Sequence, residues 1–98
     1  MEGDIRTNGN LVFDGTLKGS IVGKSLLTIG PNAQIEGRLN AQSLTIYGRV
    51  TGDVIAEDLA VLKSGAELHG DLAATRLRME EGVIFVGTSK VSPPRRSA

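Results

Sequence analysis

Apolar and polar residues alternate in short runs that recur along almost the whole chain. A run such as Leu44-Thr45-Ile46 has the period of two that is typical of a strand with one buried face. A glycine follows at the same point of each unit, and these glycines are separated by steps of 18, 15, 18 and 17 residues: Gly19, Gly37, Gly52, Gly70 and Gly87. An earlier copy extends the repeat back to Gly3. The pattern predicts one repeated unit stacked along residues 3–87.

Two architectures fit short strands joined by tight corners: an antiparallel meander, or a coil in which each unit is one rung. A coil places equivalent residues on top of each other, so that each side chain packs on its own counterpart. This accounts for the recurrence of residue type, which a meander does not require. The predicted inward columns are Ile21, Leu39, Val54 and Leu72, and then Leu27, Leu44, Leu59 and Leu77. We therefore predict an all-β, single-domain parallel β-helix of about five to six rungs with three short faces each.

The corners of the predicted rungs show which positions are constrained. Small residues recur two positions after the first inward residue, where a corner leaves little interior volume: Gly23, Ala41, Ala56 and Ala74. The 15-residue unit is predicted to lose two residues in the corner of residues 46–50 and one before Leu44. The strands are predicted to be about three to five residues long, with the glycines at their edges.

Composition narrows the class of protein. The 98 residues include 11 basic and 11 acidic side chains and no cysteine, so the net charge is zero. This balance does not favour nucleic acid or an anionic membrane as a partner. It also gives little electrostatic repulsion between copies of the chain, so self-association is not opposed. No apolar stretch is long enough to span a bilayer, and residues 1–4 lack the features of a secretory signal. A soluble cytoplasmic protein is the expectation.

The rung pattern resembles that of the bactofilins, which are bacterial polymer-forming cytoskeletal proteins. The resemblance is carried by Gly37-Arg38-Leu39-Asn40-Ala41-Gln42-Ser43-Leu44-Thr45-Ile46 and by Glu81-Gly82-Val83-Ile84-Phe85-Val86-Gly87, and it covers residues 3–87. It implies a right-handed β-helix, in line with the right-handed bias of parallel crossovers. It also implies end-to-end, non-polar filaments in which like ends meet, and the absence of a phosphate-binding loop predicts that they form without nucleotide. Such filaments act as scaffolds for cell-shape, cell-wall or protein-positioning factors, and other bactofilins are further expected partners.

The resemblance also bears on the two chain termini. Many bactofilins carry an apolar or amphipathic membrane-contacting segment ahead of the repeat, and here only residues 1–2 stand there as a short lead. Association with the inner face of the membrane is therefore expected through partners. Residues 88–98, which include Pro93-Pro94, Arg95 and Arg96, are predicted to form a disordered tail.

Catalytic and ligand-binding chemistry is not indicated. Acyltransferases and carbonic anhydrases built from stacked rungs need active-site or metal-binding histidines, and the one histidine, His69, is predicted to point outward. Asp53 and Asp71 follow rung glycines on the outside, where stacking places them near Arg38 in a charge ladder. The glycines do not precede helix starts, so no nucleotide loop is predicted. A single tyrosine, Tyr47, offers too few stacking platforms for single-stranded nucleic acid. No catalytic, cofactor-binding or metal-binding residue is predicted.

The two open ends of the predicted β-helix are the candidate functional surfaces. Each presents unpaired strand edges and an apolar cross-section with no capping segment predicted. The two phenylalanines lie at inward positions of the end rungs, where they either fill the mouth of the core or bury against another subunit. The predicted N-terminal interface is Ile5, Leu11, Phe13 and Leu17, and the predicted C-terminal interface is Leu77, Met79, Val83, Ile84, Phe85 and Val86. The alternative function is a β-helix module that recruits a partner without polymerising.

Overall fold

The structure, a computed structural model, describes residues 2–91. Within them the chain forms eight strands and no helix: β1 (Glu2–Thr7), β2 (Leu11–Phe13), β3 (Thr16–Gly23), β4 (Leu26–Ile29), β5 (Gln34–Ile46), β6 (Arg49–Leu62), β7 (Glu67–Met79) and β8 (Ile84–Val91). Every pairing is parallel and joins a strand to its equivalent one rung further along. The prediction of an all-β parallel β-helix is confirmed.

Among the described residues, the strands divide into four complete rungs, rungs 2 to 5, with an incomplete rung at each end. Rung 1 contains β1 and β2, rung 2 contains β3 and β4, and rungs 3 to 5 are β5, β6 and β7 in turn. The last strand, β8, begins rung 6. Each complete rung has three faces, which we name by their position in rung 3: face A at residues 34–36, face B at residues 38–41 and face C at residues 43–46.

The interior is filled by columns of apolar side chains that repeat from rung to rung. Face A contributes one column and face B another, which contains the predicted stack of Ile21, Leu39, Val54 and Leu72. The small residues Ala41, Ala56 and Ala74 stack at the next corner and are buried. No polar side chain is buried among the described residues. The core is therefore held by burial of apolar surface along one continuous axis.

The strands are longer than the predicted three to five residues. The three longest, β5, β6 and β7, have 13 or 14 residues and run through a corner without interruption. The corner lies at the rung glycine, which in β5 is Gly37 with a φ of 135°. Only glycine adopts this backbone readily, so the chain bends there while its ladder with the neighbouring rungs continues. The rung glycines therefore lie inside strands, and the prediction that all glycines lie at strand edges is wrong.

The short third rung follows the prediction, but the next rung does not. Ile29 pairs with Ile46 and Ile35 with Val50, which places the loss of two residues in the predicted corner. In rung 4, however, Ala60 continues the column of Leu44 and Leu77, where Leu59 was predicted.

The corner before Leu59 explains why Ala60, and not Leu59, lies in the inward column. Ala41 is followed by one unpaired residue before the ladder resumes at Ser43, whereas Ala56 is followed by two before it resumes at Leu59. One extra residue reverses which side chains of a strand face inward. Ala60 and Leu62 are therefore buried, while Leu59 and Val61 point outward and are only partly covered.

Two leucine-to-alanine substitutions test this orientation. Leu62→Ala removes a fully buried side chain and is expected to lower the free energy of unfolding by about 2 to 5 kcal/mol. Leu59→Ala removes an outward side chain of the same strand, and its expected cost is below about 1 kcal/mol. Denaturant unfolding followed by circular dichroism measures both values. Equal losses, or a larger loss for Leu59→Ala, would contradict the observed orientation.

The C-terminal boundary of the repeat also differs from the prediction. The predicted end at residue 87 lies inside β8, which continues to Val91. Residues 88–91 are therefore strand and not tail, and the remainder of the predicted tail, residues 92–98, lies outside the described residues. No helix in the described part of the chain is long and apolar enough to cross a membrane.

Candidate functional site

The charged side chains of the outer faces pair with each other across rungs. Arg49 on face A donates to Glu67 of the next rung at 2.7 Å, and Arg38 on face B lies 3.6 Å from Asp53. Asp71 stacks on Asp53 in register, so the predicted ladder is present, although Arg38 reaches only the nearer carboxylate. These pairs are solvent-exposed and contribute little to stability.

His69 lies where it was predicted, on the outside of face A. It stacks between Thr51 and Val86 of the neighbouring rungs. Within residues 2–91, no three His, Cys, Asp or Glu side chains come together as metal ligands would. The outer faces therefore display ion pairs, single polar groups and a few exposed apolar side chains, such as Val22, Leu26 and Ile55.

The two ends of the β-helix expose the mouth of the apolar core. Six apolar residues pack against the buried core while remaining partly exposed, three at each end of the stack: Ile5, Leu11 and Phe13 in rung 1, and Leu77, Val83 and Phe85 in rungs 5 and 6. All six belong to the two predicted interfaces. The structure thus places these six predicted residues at the ends of the stack, three at each end.

At the N-terminal end, Ile5 stacks on Ile21, and Leu11 and Phe13 stack on Leu27 and Ile29. Their outer sides meet no further rung among the described residues. Leu17, which was predicted to share this surface, lies in rung 2 and is 0% exposed. Because another subunit could not reach it, the exposed surface at this end consists of Ile5, Leu11 and Phe13.

At the C-terminal end, Phe85 continues the face A column above the buried Leu68. Ile84 and Val86 flank it on the outer side of β8 and are 48% and 55% exposed. They stack on Glu67 and His69, so the outer side changes from polar to apolar at the last strand, as predicted. On face C, Leu77 and Met79 end their columns in rung 5.

Face B ends differently, which the sequence pattern did not indicate. One inward column runs through Val54 and Leu72 and ends at Ser89, which is exposed, while the other runs through Ala56 and Ala74, with Val91 next in register. The partly buried apolar side chains named above for the C-terminal end lie on faces A and C and at the corner between them. The two phenylalanines also lie on different faces, since Phe13 stacks on Ile29 of face C and Phe85 on Leu68 of face A.

A corner contact holds the last strand in place. The backbone N–H of Ser64 donates to the Glu80 carboxylate at 2.9 Å, and the Ser64 hydroxyl donates to the carbonyl of Glu81 at 2.6 Å. The first of these bonds, with help from Lys63 at 3.6 Å, lowers the pKa of Glu80 below its usual value. Glu80 is thus a charged acceptor at neutral pH, and the two bonds position the corner that leads into β8.

The end strands also leave backbone hydrogen-bonding groups free. In the described chain, β1 pairs only with β3, and β8 pairs only with β7. Each therefore has one edge without a strand beside it, and such an edge is a template for pairing with another chain. An apolar mouth bordered by a free strand edge is suited to contact a second copy of the same end.

Comparison with known proteins agrees with this geometry. The family model for bactofilins, described as polymer-forming cytoskeletal, matches residues 1–90. The chain belongs to the bactofilin family. Bactofilin BacO of Myxococcus xanthus (strain DK1622) is 34% identical over 87 residues, which cover 89% of this chain and 69% of BacO.

A solved bactofilin structure has the same fold. The Thermus thermophilus bactofilin, reconstructed by cryo-EM as double helical filaments, superposes with a TM-score of 0.86 at 38% identity, covering 91% of this chain and 88% of the other. The prediction that this chain is a bactofilin is confirmed, and so is the cytoskeletal class of the protein.

Proposed function

We propose that this bactofilin polymerises end to end, without nucleotide, into non-polar filaments that scaffold other proteins. The observation that carries the proposal is the placement of all six partly exposed core-contacting apolar residues at the two ends. A filament would bury these surfaces and pair the free edges of β1 and β8. The double helical filaments of the Thermus thermophilus relative support polymerisation of this chain.

Contacts between like ends suit this fold. A two-fold axis across an end makes the contact isologous, and it turns the two edge strands antiparallel to each other. The free edges of two β8 strands can then exchange backbone hydrogen bonds while Phe85 meets its own counterpart and Val86 lies opposite Ile84 of the other copy. A filament built from alternating like contacts has no overall direction, which is the proposed non-polar state.

The scaffold role follows from the sides of the filament. Its outer faces repeat charged and polar columns at the spacing of the rungs, and such a surface can bind client proteins along its length. We place the filament in the cytoplasm, with cell-wall or protein-positioning factors and other bactofilins as partners, and with membrane association through those partners.

Electron microscopy of the purified protein tests the proposal. We expect long, unbranched filaments or sheets in negative stain at moderate salt with no nucleotide or metal added. Adding and then chelating Mg²⁺, with and without nucleoside triphosphate, should leave filament length unchanged. Small uniform particles under all these conditions would contradict polymerisation and favour the non-polymerising binding module.

A further inference from the structure

A groove runs along the outside of face B, parallel to the axis of the β-helix. It has a volume of about 800 Å³ and lies over the buried column that contains Leu39 and Leu72. We call it the face B groove, and it crosses rungs 2 to 6 between two columns of outward side chains. Its walls are Ser20, Arg38, Asp53, Asp71 and Thr88 on one side, and Val22, Asn40, Ile55, Ala73 and Lys90 on the other.

The first wall contains one carboxylate more than it has cations. Asp53 and Asp71 stack in neighbouring rungs, and Arg38 lies 3.6 Å from Asp53. Asp71 is exposed and forms no ion pair within residues 2–91. Lys90 stands on the opposite wall one rung further along, and no ion pair joins it to Asp71. Because neighbouring like charges repel each other, a further cation beside Asp71 would be stabilising.

The second wall offers apolar contact. Val22 and Ile55 are 40% and 44% exposed, and Ala73 follows Ile55 in register. The face B groove therefore suits an extended segment that carries both apolar side chains and cations. Residues 92–96 have the sequence Ser-Pro-Pro-Arg-Arg, which meets this requirement. Two successive prolines also favour an extended backbone that needs no hydrogen-bonded neighbour.

This segment begins beside the groove. The last strand, β8, supplies Thr88 and Lys90 to the two walls and ends at Val91. A rise of about 3.3 Å per residue and a rung spacing of about 4.8 Å place the Cα atom of Asp71 about 11 Å from that of Val91. Arg95 follows Val91 by four residues, and an extended chain of that length spans the distance.

Continuation of the coil is the other course open to residues 92–96, and their composition opposes it. A strand that continued rung 6 on face C would lie beside the end of β7. Pro93 and Pro94 have no N–H to donate to that ladder. The arginines that follow would also come close to Arg78, which forms no ion pair in the described chain, while Arg76 is already paired with Asp58 at 2.9 Å.

We propose that residues 92–96 fold back into the face B groove of the same chain. The two prolines pack against the apolar wall, Arg95 lies beside Asp71, and Arg96 lies beside Asp53. Each contact is exposed and weak, but the segment is tethered to β8, so its effective concentration at the groove is high. While docked, the segment covers the groove, and another protein that binds this part of face B must displace it.

Disulfide trapping tests this position, since the chain contains no cysteine. Ser97→Cys is combined either with Asn40→Cys in the groove or with Ser43→Cys, the matched control on face C of the same rung. Both positions are partly covered and lie about 15 Å from Val91. In a buffer of reduced and oxidised glutathione, we expect the ratio of intramolecular disulfide to dithiol to be about tenfold or more higher for the Asn40 pair.

A charge substitution tests the contact with the arginines. In the protein that carries Asn40→Cys and Ser97→Cys, Asp71→Asn removes the partner of Arg95. We expect it to lower the disulfide ratio about threefold or more. The matched control is Glu36→Gln, which removes an exposed carboxylate from face A and should leave the ratio unchanged. Circular dichroism checks that each variant is folded.

Three results would each overturn the inference. They are equal ratios for the Asn40 and Ser43 pairs, a ratio that Asp71→Asn does not change, and disulfides that join only separate chains on non-reducing gel electrophoresis. The last result would place the segment on another copy of the chain. None of these measurements requires filaments, so a protein that stays monomeric would contradict the proposed function without affecting this test.

Discussion

Replacing Phe85 with arginine is expected to stop polymerisation at a dimer. Phe85 ends the face A column above Leu68 and is partly exposed at the C-terminal mouth of the core. An arginine there places two like charges in the contact between two C-terminal ends, and leaving a buried charge unpaired costs about 3 to 5 kcal/mol. The N-terminal ends keep Ile5 and Phe13 and can still meet. If like ends contact each other, each subunit then binds one partner, and the product is a dimer.

Analytical ultracentrifugation measures the size of the product. A dimer indicates that like ends meet, whereas a monomer would show that unlike ends meet and that the filament is polar. Phe85→Leu keeps an apolar side chain and should retain filaments, as should Ile55→Arg, which adds the same charge on the exposed side of face B. Long filaments of a folded Phe85→Arg protein would contradict a C-terminal contact.

Replacing Gly52 with alanine is expected to have the largest effect on folding. Gly52 has a φ of 127°, and an added Cβ would collide with the backbone carbonyl oxygen of Gly37 in the preceding rung. Neither the backbone angle nor the rung spacing can relax without breaking the ladder on both sides. We expect a loss of at least about 3 kcal/mol in the free energy of unfolding, measured by denaturant titration.

Substitutions at two other glycines distinguish backbone strain from steric collision as causes of this loss in the free energy of unfolding. Gly65 has a φ of 89° with no atom within 4 Å of an added Cβ, so Gly65→Ala introduces backbone strain without a collision. Gly9 has neither feature, and Gly9→Ala should be close to neutral. The expected order of destabilisation is Gly52, then Gly65, then Gly9. A Gly52→Ala protein as stable as Gly9→Ala would contradict the close stacking of the rung glycines.

Much of the candidate site could be predicted from the sequence because it depends on the repeat. The period of the rungs assigns Phe13 and Phe85 to inward columns of the first and last rungs, and the structure places both there. The shape of each end could not be predicted in the same way. Whether Leu17 is exposed, and whether the face B column of Leu72 ends on an apolar residue, depends on which strand covers which column. The structure answers both, with Leu17 buried and Ser89 stacked on Leu72.

The repeat and the parallel stacking could be predicted from the sequence alone, because each rung must place like residues on like, and the resemblance of residues 37–46 and 81–87 to bactofilins indicated the family. The folded chain was needed to show which side chains of Leu59-Ala60-Val61-Leu62 face inward. All four residues are apolar, so either alternate pair could face inward, and the local pattern favours neither. The number of unpaired residues in the preceding corner and the fixed register with rungs 3 and 5 place Ala60 and Leu62 inside. The same register turns Leu59 and Val61 outward, where they are only partly covered.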